Sequence, residues 1–189
     1  MMSKEKFNNA VSIAKYICKN SLEFGDIAVD CTLGKGHDTI LLANLVGNEG
    51  KVISFDIQKE AIYKTKERLK DLDHRNITLI NDGHENLDNY IQEKVKLFIF
   101  NLGYLPGKDH NITTKAETTL KALKKALKLL GDNGIVLLVI YYGHENGKEE
   151  KAVLEKFTSE LDQKDYNVMK NSFINQANDP PFLICIEKR

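Results

Sequence analysis

The chain has 189 residues, enough for one domain with a full hydrophobic core. Its 27 basic and 27 acidic residues cancel, which excludes a global basic field, so a nucleic-acid partner would have to meet a local patch. The isolated cysteines Cys18, Cys31 and Cys185, the lack of a membrane-length apolar run and a charged start exclude a disulfide or zinc framework, a membrane span and an export signal, and predict buried thiols in a cytoplasmic protein.

Phe7, Val11, Ala14 and Cys18, widened by Ile13 and Ile17, recur at helical spacing and predict an opening helix over about 4–20. A short buried strand over 26–31 follows, then a glycine loop, a helix over 37–46 and a strand over 51–56 that ends on Asp56. A charged helix over 58–72 turns Ala61, Ile62, Thr65 and Leu69 inward, and a third strand over 76–80 runs into Asn81-Asp82-Gly83-His84. A short helix near 84–91 leads to a fourth strand over 95–100, left by the loop Asn101-Leu-Gly-Tyr-Leu-Pro-Gly107. Leu120, Leu123, Leu127 and Leu130 stripe a helix over 115–130, stopped by Gly131-Asp-Asn-Gly134. The strand over 135–142 is continuously apolar and is expected at the centre of a sheet. A helix over 147–161 and two strands, 166–174 and 182–187, close the chain. No helix separates that last pair, so the two should be antiparallel neighbours.

Strand–helix repeats followed by a hairpin make an α/β fold. A mostly parallel seven-stranded sheet with an antiparallel C-terminal hairpin and helices on both faces is expected, as one domain over 1–189. The unit strand–Gly34-Lys-Gly36–helix–strand–Asp56 suits an adenosine-type ligand, because glycines let the backbone approach it and a strand-end acid can accept from ribose hydroxyls. Asp30, Asp56, Asp82 and Asn101 all fall at carboxyl ends of predicted strands, where open α/β sheets bind ligands. Each also has a plainer reading. Asp30 can cap its own turn, Asp38 can cap the next helix, and His37 can be a surface loop residue. Asn101-Leu-Gly-Tyr104 suits transfer to an amine: an amide oxygen can aim the nitrogen lone pair, and a tyrosine can stack on a planar base. It can equally be a capped turn with a packing tyrosine. Tyr142 and His144 leave the fifth strand at the same edge; His144 is a candidate proton acceptor or a structural histidine. His74 and His110 have weaker claims, and the histidines lack the spacing of a metal site.

The order of elements resembles the class I S-adenosylmethionine (SAM) methyltransferase fold. More narrowly, Asp30-Cys-Thr-Leu-Gly-Lys-Gly-His-Asp-Thr39, Phe55-Asp-Ile-Gln58, Phe100-Asn-Leu-Gly-Tyr-Leu-Pro-Gly107, Thr113-Thr-Lys-Ala-Glu-Thr-Thr119, Tyr142-Gly-His144 and Phe173-Ile-Asn-Gln-Ala-Asn-Asp-Pro-Pro-Phe182 resemble a small bacterial family long labelled rRNA methylases. The resemblance implies a tRNA methyltransferase that converts 5-aminomethyl-2-thiouridine at the wobble position to its 5-methylaminomethyl form, acting on the anticodon region as a homodimer. With the strand-end and loop readings above, the expected SAM contacts are Asp30, Thr32, Gly34, Gly36, His37, Asp38, Asp56, Gln58, Asp82, Gly83, His84 and Asn101, and the expected catalytic residues are Asn101, Tyr104, Tyr142 and His144. Lys35 stands where the family usually has Asn, Cys31 where it has Ala, and Lys108 where it has Gly. Lys108, Lys115 and Lys148, in or beside the loops, are the expected phosphate contacts. An rRNA or small-molecule amine substrate, a nicotinamide-binding protein, and a non-catalytic SAM-binding partner of an RNA-modifying assembly are the alternatives.

Overall fold

A computed structural model describes residues 7–70, 76–103, 113–143 and 145–189 of the chain. Its first helix, α1 (Ala10–Ser21), starts later than the apolar stripe suggests, because Asn9 caps it. The Asn9 side chain accepts from the Ser12 N–H at 2.8 Å and so satisfies one of the free donors of the first turn. Phe7 therefore lies before the helix, exposed, with its ring edge-on to Tyr16.

The remaining elements follow the expected order: β1 (Ile27–Asp30), α2 (His37–Val46), β2 (Lys51–Phe55), α3 (Lys59–Leu69), β3 (Ile77–Ile80), a 3₁₀ turn (His84–Asn89), β4 (Val95–Leu102), α4 (Ala116–Leu129), β5 (Leu130–Ile140), α5 (Glu145–Ser159), β6 (Tyr166–Asn171) and β7 (Phe182–Lys188). They build one seven-stranded sheet in the order β3-β2-β1-β4-β5-β7-β6. The first five strands are parallel, and β7 runs antiparallel to both β5 and β6. The middle strand is β4, with β5 beside it, so the most apolar strand is interior but not central. Helix α4 ends at Leu129, as the Gly131–Gly134 stop predicts, and that segment also forms a bulge in β5. Val95 pairs with Leu130, the register then shifts, and Leu97 pairs with Ile135, while Asn133 takes a left-handed φ of 55°.

The chain moves outward from β1 through β2 to β3, then crosses back to lay β4 on the other side of β1. The connections leaving β1 and β4 diverge, and a crevice opens between them at their carboxyl ends. Side chains alternate across the sheet and sort into two cores. Phe98, Phe100 and Leu102 of β4 join Val136, Leu138 and Ile140 of β5 on the face covered by α4 and α5. Leu97 and Ile99 join Leu137 and Val139 on the face covered by α1 and α2. Burying each large apolar side chain stabilises the fold by about 1.5–3 kcal/mol.

Removing the cap in Asn9→Ala should lower the unfolding free energy by about 1 kcal/mol. Urea titration should show a lower midpoint with an unchanged slope. An unchanged midpoint would mean that the helix start is fixed by packing alone.

Candidate active site

A cavity of about 630 Å³ fills the crevice, a volume typical of small-molecule sites. On one side it is bounded by the ends of β2 and β3. The Asp56 carboxylate is held by two backbone donors: Gly34 N–H reaches Oδ2 at 2.9 Å and Gln58 N–H reaches Oδ1 at 2.8 Å. The glycine loop is shaped for this contact, with Gly34 at φ 50° and Gly36 at φ 74°. Gly36 also has no room for a side chain, since a Cβ there would stand 2.7 Å from the Thr65 methyl. It does not line the cavity; its part is to let α2 begin against α3. Arg68 of α3 donates to the Lys35 carbonyl at 2.6 Å and fixes the loop from outside.

Asp82 lines the cavity with Gly83 and His84. Desolvation raises the Asp82 carboxyl, but bonds from Asn86, Tyr90 and the Gly83 N–H together lower it below the usual carboxylate range. His84 is buried edge-on to Phe100, with Nδ1 3.0 Å from the Cys31 carbonyl. A carbonyl only accepts, so Nδ1 carries the proton and Nε2 is left as an unpaired acceptor. Burial lowers the histidine's pKa, which keeps the ring neutral.

Asp30 does not reach the cavity. Parity along β1 turns it toward α2, where it is fully buried. Its carboxylate accepts from Thr32 N–H at 3.0 Å and from Thr39 Oγ1 at 2.6 Å, and Thr39 Oγ1 also meets Ser54 Oγ at 2.9 Å. These are the bonds of the turn-capping reading of Asp30. Burial, then the Asp38 charge, push its pKa up to about 7.

Asn101 stands at the opposite side of the cavity, at the end of β4. It follows Leu97 and Ile99 in parity and therefore faces α1 and α2. Its backbone N–H donates to Thr32 Oγ1 at 2.7 Å, and its Nδ2 donates to Asp38 Oδ2 at 2.5 Å. A carboxylate can only accept, so this bond fixes the amide with nitrogen toward Asp38. Asn101 Oδ1 is then buried without a partner. Lys15 of α1 completes this side, with Nζ 3.3 Å from Asp38 Oδ1.

Parity also separates the two tyrosines after β5. Tyr141 continues the series Ile135, Leu137 and Val139 and lines the cavity beside Gly103. Burial and the Asp38 charge raise its pKa and keep its hydroxyl protonated. Tyr142 turns to the other face, where its ring packs edge-on against Phe182 beneath Lys151. The structure thus brings Tyr141, not Tyr142, to the site. Tyr104, His144, Lys108, His74 and His110 lie outside the described residues. Of the other expected phosphate contacts, Lys115 lines the cavity, while Lys148 is engaged by Glu145 at 2.8 Å.

The chain returns to the site at Thr113 and Thr114, both lining the cavity. Gly103 N–H donates to Thr114 Oγ1 at 3.0 Å, and Thr114 N–H donates to the Gly103 carbonyl at 3.1 Å. Glu150 of α5, fully buried, accepts from Thr114 and Thr119 hydroxyls at 2.7 and 2.6 Å. Periodicity gave no sign of this clamp, since an acid in a charged helix reads as solvated. Among the described residues no cluster of three or more His, Cys, Asp or Glu side chains could hold a metal ion.

The family model described as "Putative rRNA methylase" matches residues 52–187. A chloroplastic tRNA (mnm(5)s(2)U34)-methyltransferase of Arabidopsis thaliana is 35% identical over 95% of this chain and 69% of its own length. The crystal structure of a "putative rRNA-methylase" from Clostridium thermocellum is 48% identical and superposes with a TM-score of 0.95, covering 98% of this chain and 100% of that one. A "putative methyltransferase" from Streptococcus mutans, solved in complex with SAH, is 38% identical with a TM-score of 0.89, covering 97% of this chain and 99% of that one.

The raised pKa of Asp30 has a definite sign. Between its ordinary value of 3.8 and about 7 the folded protein holds a proton that the unfolded chain has lost. Stability attributable to this group is therefore full below the unfolded value and falls as pH rises through that window, by about 1.4 kcal/mol per unit at most. The stability difference between Asp30→Asn and the parent should grow in favour of the variant from about pH 4 to about pH 7, then level off. Parallel denaturant titrations check this; a constant difference would show that Asp30 is ionised throughout.

Proposed function

The chain belongs to the family described as "Putative rRNA methylase", and from that premise we propose that it methylates the exocyclic amine of 5-aminomethyl-2-thiouridine at the tRNA wobble position, with SAM as methyl donor. The donor is supported by the S. mutans relative, which was solved with SAH, the demethylated form of SAM. The acceptor is supported by the Arabidopsis relative, named for that modified uridine.

The residues fit such a donor. Asp56, fixed by two backbone N–H groups, is a carboxylate at the cavity wall suited to ribose hydroxyls, and Asp82, Gly83 and His84 line the same cavity for the base. SAM supplies a methyl group on a positively charged sulfur, which any well-aimed nucleophile can take.

The observation that carries the choice of nucleophile is Asn101 Oδ1. A buried acceptor without a partner costs roughly 1–3 kcal/mol, and at the wall of a ligand cavity a substrate donor is one group that can meet it. Asp38 holds the side-chain amide nitrogen and Thr32 the backbone N–H, which leaves Oδ1 of this cavity-lining residue as the acceptor still to be met. There it accepts one N–H of a primary amine and directs the nitrogen lone pair, which is what a neutral amine requires for in-line attack. Tyr141, protonated, bounds the same space. Tyr104 as the base-stacking residue and His144 as the acceptor of the released proton complete the reading on sequence alone. So do a homodimer, contact with the anticodon region, and a cytoplasmic location. No described helix is long and apolar enough to cross a membrane.

The direct test is incubation with SAM and tRNA from a strain lacking this protein, followed by nucleoside mass analysis. One methyl gained on 5-aminomethyl-2-thiouridine is expected; methylation of rRNA alone would overturn the substrate assignment.

Asp56→Ala should weaken SAM binding at least about tenfold, since a hydrogen bond to a charged acceptor contributes roughly 1.5–3 kcal/mol. Calorimetry that finds full affinity in the folded variant would remove Asp56 from the ribose site.

Asn101→Ala should keep SAM affinity within a few fold and slow single-turnover methylation by about a hundredfold or more, because it loses orientation of the nucleophile. A wild-type single-turnover rate would reduce Asn101 to a turn residue.

A further inference from the structure

Tyr141 lines the cavity, and its hydroxyl makes no hydrogen bond among the described residues. Register sets its place. Val139 of β5 pairs with Asn101 of β4, and Tyr141 follows Val139 on the same face of the sheet. It is therefore the diagonal neighbour of Asn101, with the two Cα atoms about 8 Å apart. Gly103 brings no side chain into that gap; a Cβ there would stand 3.4 Å from the Tyr141 Cβ. The Asp38 charge reaches the tyrosine hydroxyl, and the Asp38 carboxylate holds the Asn101 amide, so both groups share one neighbourhood. Asn101 Oδ1 has no partner either, so the two are close without being bonded to each other.

A neutral primary amine has two N–H bonds and one lone pair. One acceptor leaves it free to turn about a single bond, whereas two acceptors fix the direction of the lone pair. A protonated phenol oxygen can accept as well as donate. We propose that Tyr141 is a catalytic residue that accepts the second N–H of the attacking amine, with Asn101 on the first, and that the two acceptors together confine the reaction to a primary amine. Methyl transfer forms the N–C bond and breaks the S–C bond, whose electron pair stays on sulfur. The product is a secondary ammonium, which loses one proton to water. The resulting neutral amine has one N–H left. It can meet only one of the two acceptors, and its new methyl group is set against the other, which is left unsatisfied. A second transfer is therefore disfavoured, and the reaction stops at one methyl. The inference rests on the substrate reading above and assigns Tyr141, where the sequence motifs favour Tyr142.

The test is single-turnover methylation by the full chain of two synthetic anticodon stem-loops. One carries 5-aminomethyl-2-thiouridine and the other its 5-methylaminomethyl form. The parent should methylate the first and act on the second about a hundredfold more slowly. Tyr141→Phe should lose about tenfold on the first, the equivalent of one hydrogen bond, and change by no more than about twofold on the second. Its preference for the primary amine therefore falls about tenfold, while SAM affinity by calorimetry stays within about twofold. A parent-level rate of Tyr141→Phe on the first stem-loop would overturn the assignment, as would a parent that methylates both equally well. A loss shared equally by the two stem-loops, or matched by a loss of SAM affinity, would make Tyr141 a wall of the cavity and overturn it too. A parent that methylates neither would instead overturn the substrate reading, and this inference with it.

Discussion

Side chains leave a strand alternately to its two faces, and in this protein that alternation decides which groups can share the cavity. Leu97 and Ile99 commit one face of β4 to the α1–α2 core, so the next residue of that series, Asn101, emerges beside Asp38 and Lys15. The same rule sends Asp30 of β1 and Ser54 of β2 toward Thr39 of α2. It also sends Tyr141 to the cavity and Tyr142 to Phe182. A register slip of one residue in β4 would exchange Asn101 for Leu102 and leave the amide in the α4 core.

Two buried acids stabilise the site from behind without entering it. Asp30 joins the first turn to α2 through Thr32 and Thr39. Glu150 of α5 joins the returning end of the β4 loop at Thr114 to α4 at Thr119. Burial raises both carboxyls, and threonine hydroxyls partly oppose it. In each case the acid's acceptors are met by hydroxyl or backbone donors instead of cations, which keeps the positions rigid without adding a positive charge near the cavity.

Much of this was legible in the residues. The parallel order, the hairpin, the acid Asp56 and the exit loop at Asn101 all follow from patterns with short range: apolar runs, glycine spacing and strand-end polarity. Three things were not. The start of α1 depends on Asn9, a polar residue inside what reads as a longer stripe. Tyr141 and Tyr142 are chemically identical, and only the register against β4, Asn101 beside Val139, tells them apart. Lys15 lies on the polar edge of a helix whose apolar residues carry the periodic signal, so its approach to Asp38 is a tertiary fact. Asp30 was a good strand-end acid by position, yet its parity, not its chemistry, turns it away from the cavity toward α2.

The clamp between Gly103 and Thr114 also frees the length of the chain between them. Two reciprocal hydrogen bonds bring the chain back to the point it left, and Glu150 fixes that point to a helix. Loop-closure entropy rises only slowly with length once the ends are joined, about 0.6 kcal/mol per doubling. A longer or shorter intervening stretch therefore costs little, and Asn101 keeps its place at the end of β4. The length of that insert and the position of Asn101 are energetically separable, so a change in one need not disturb the other.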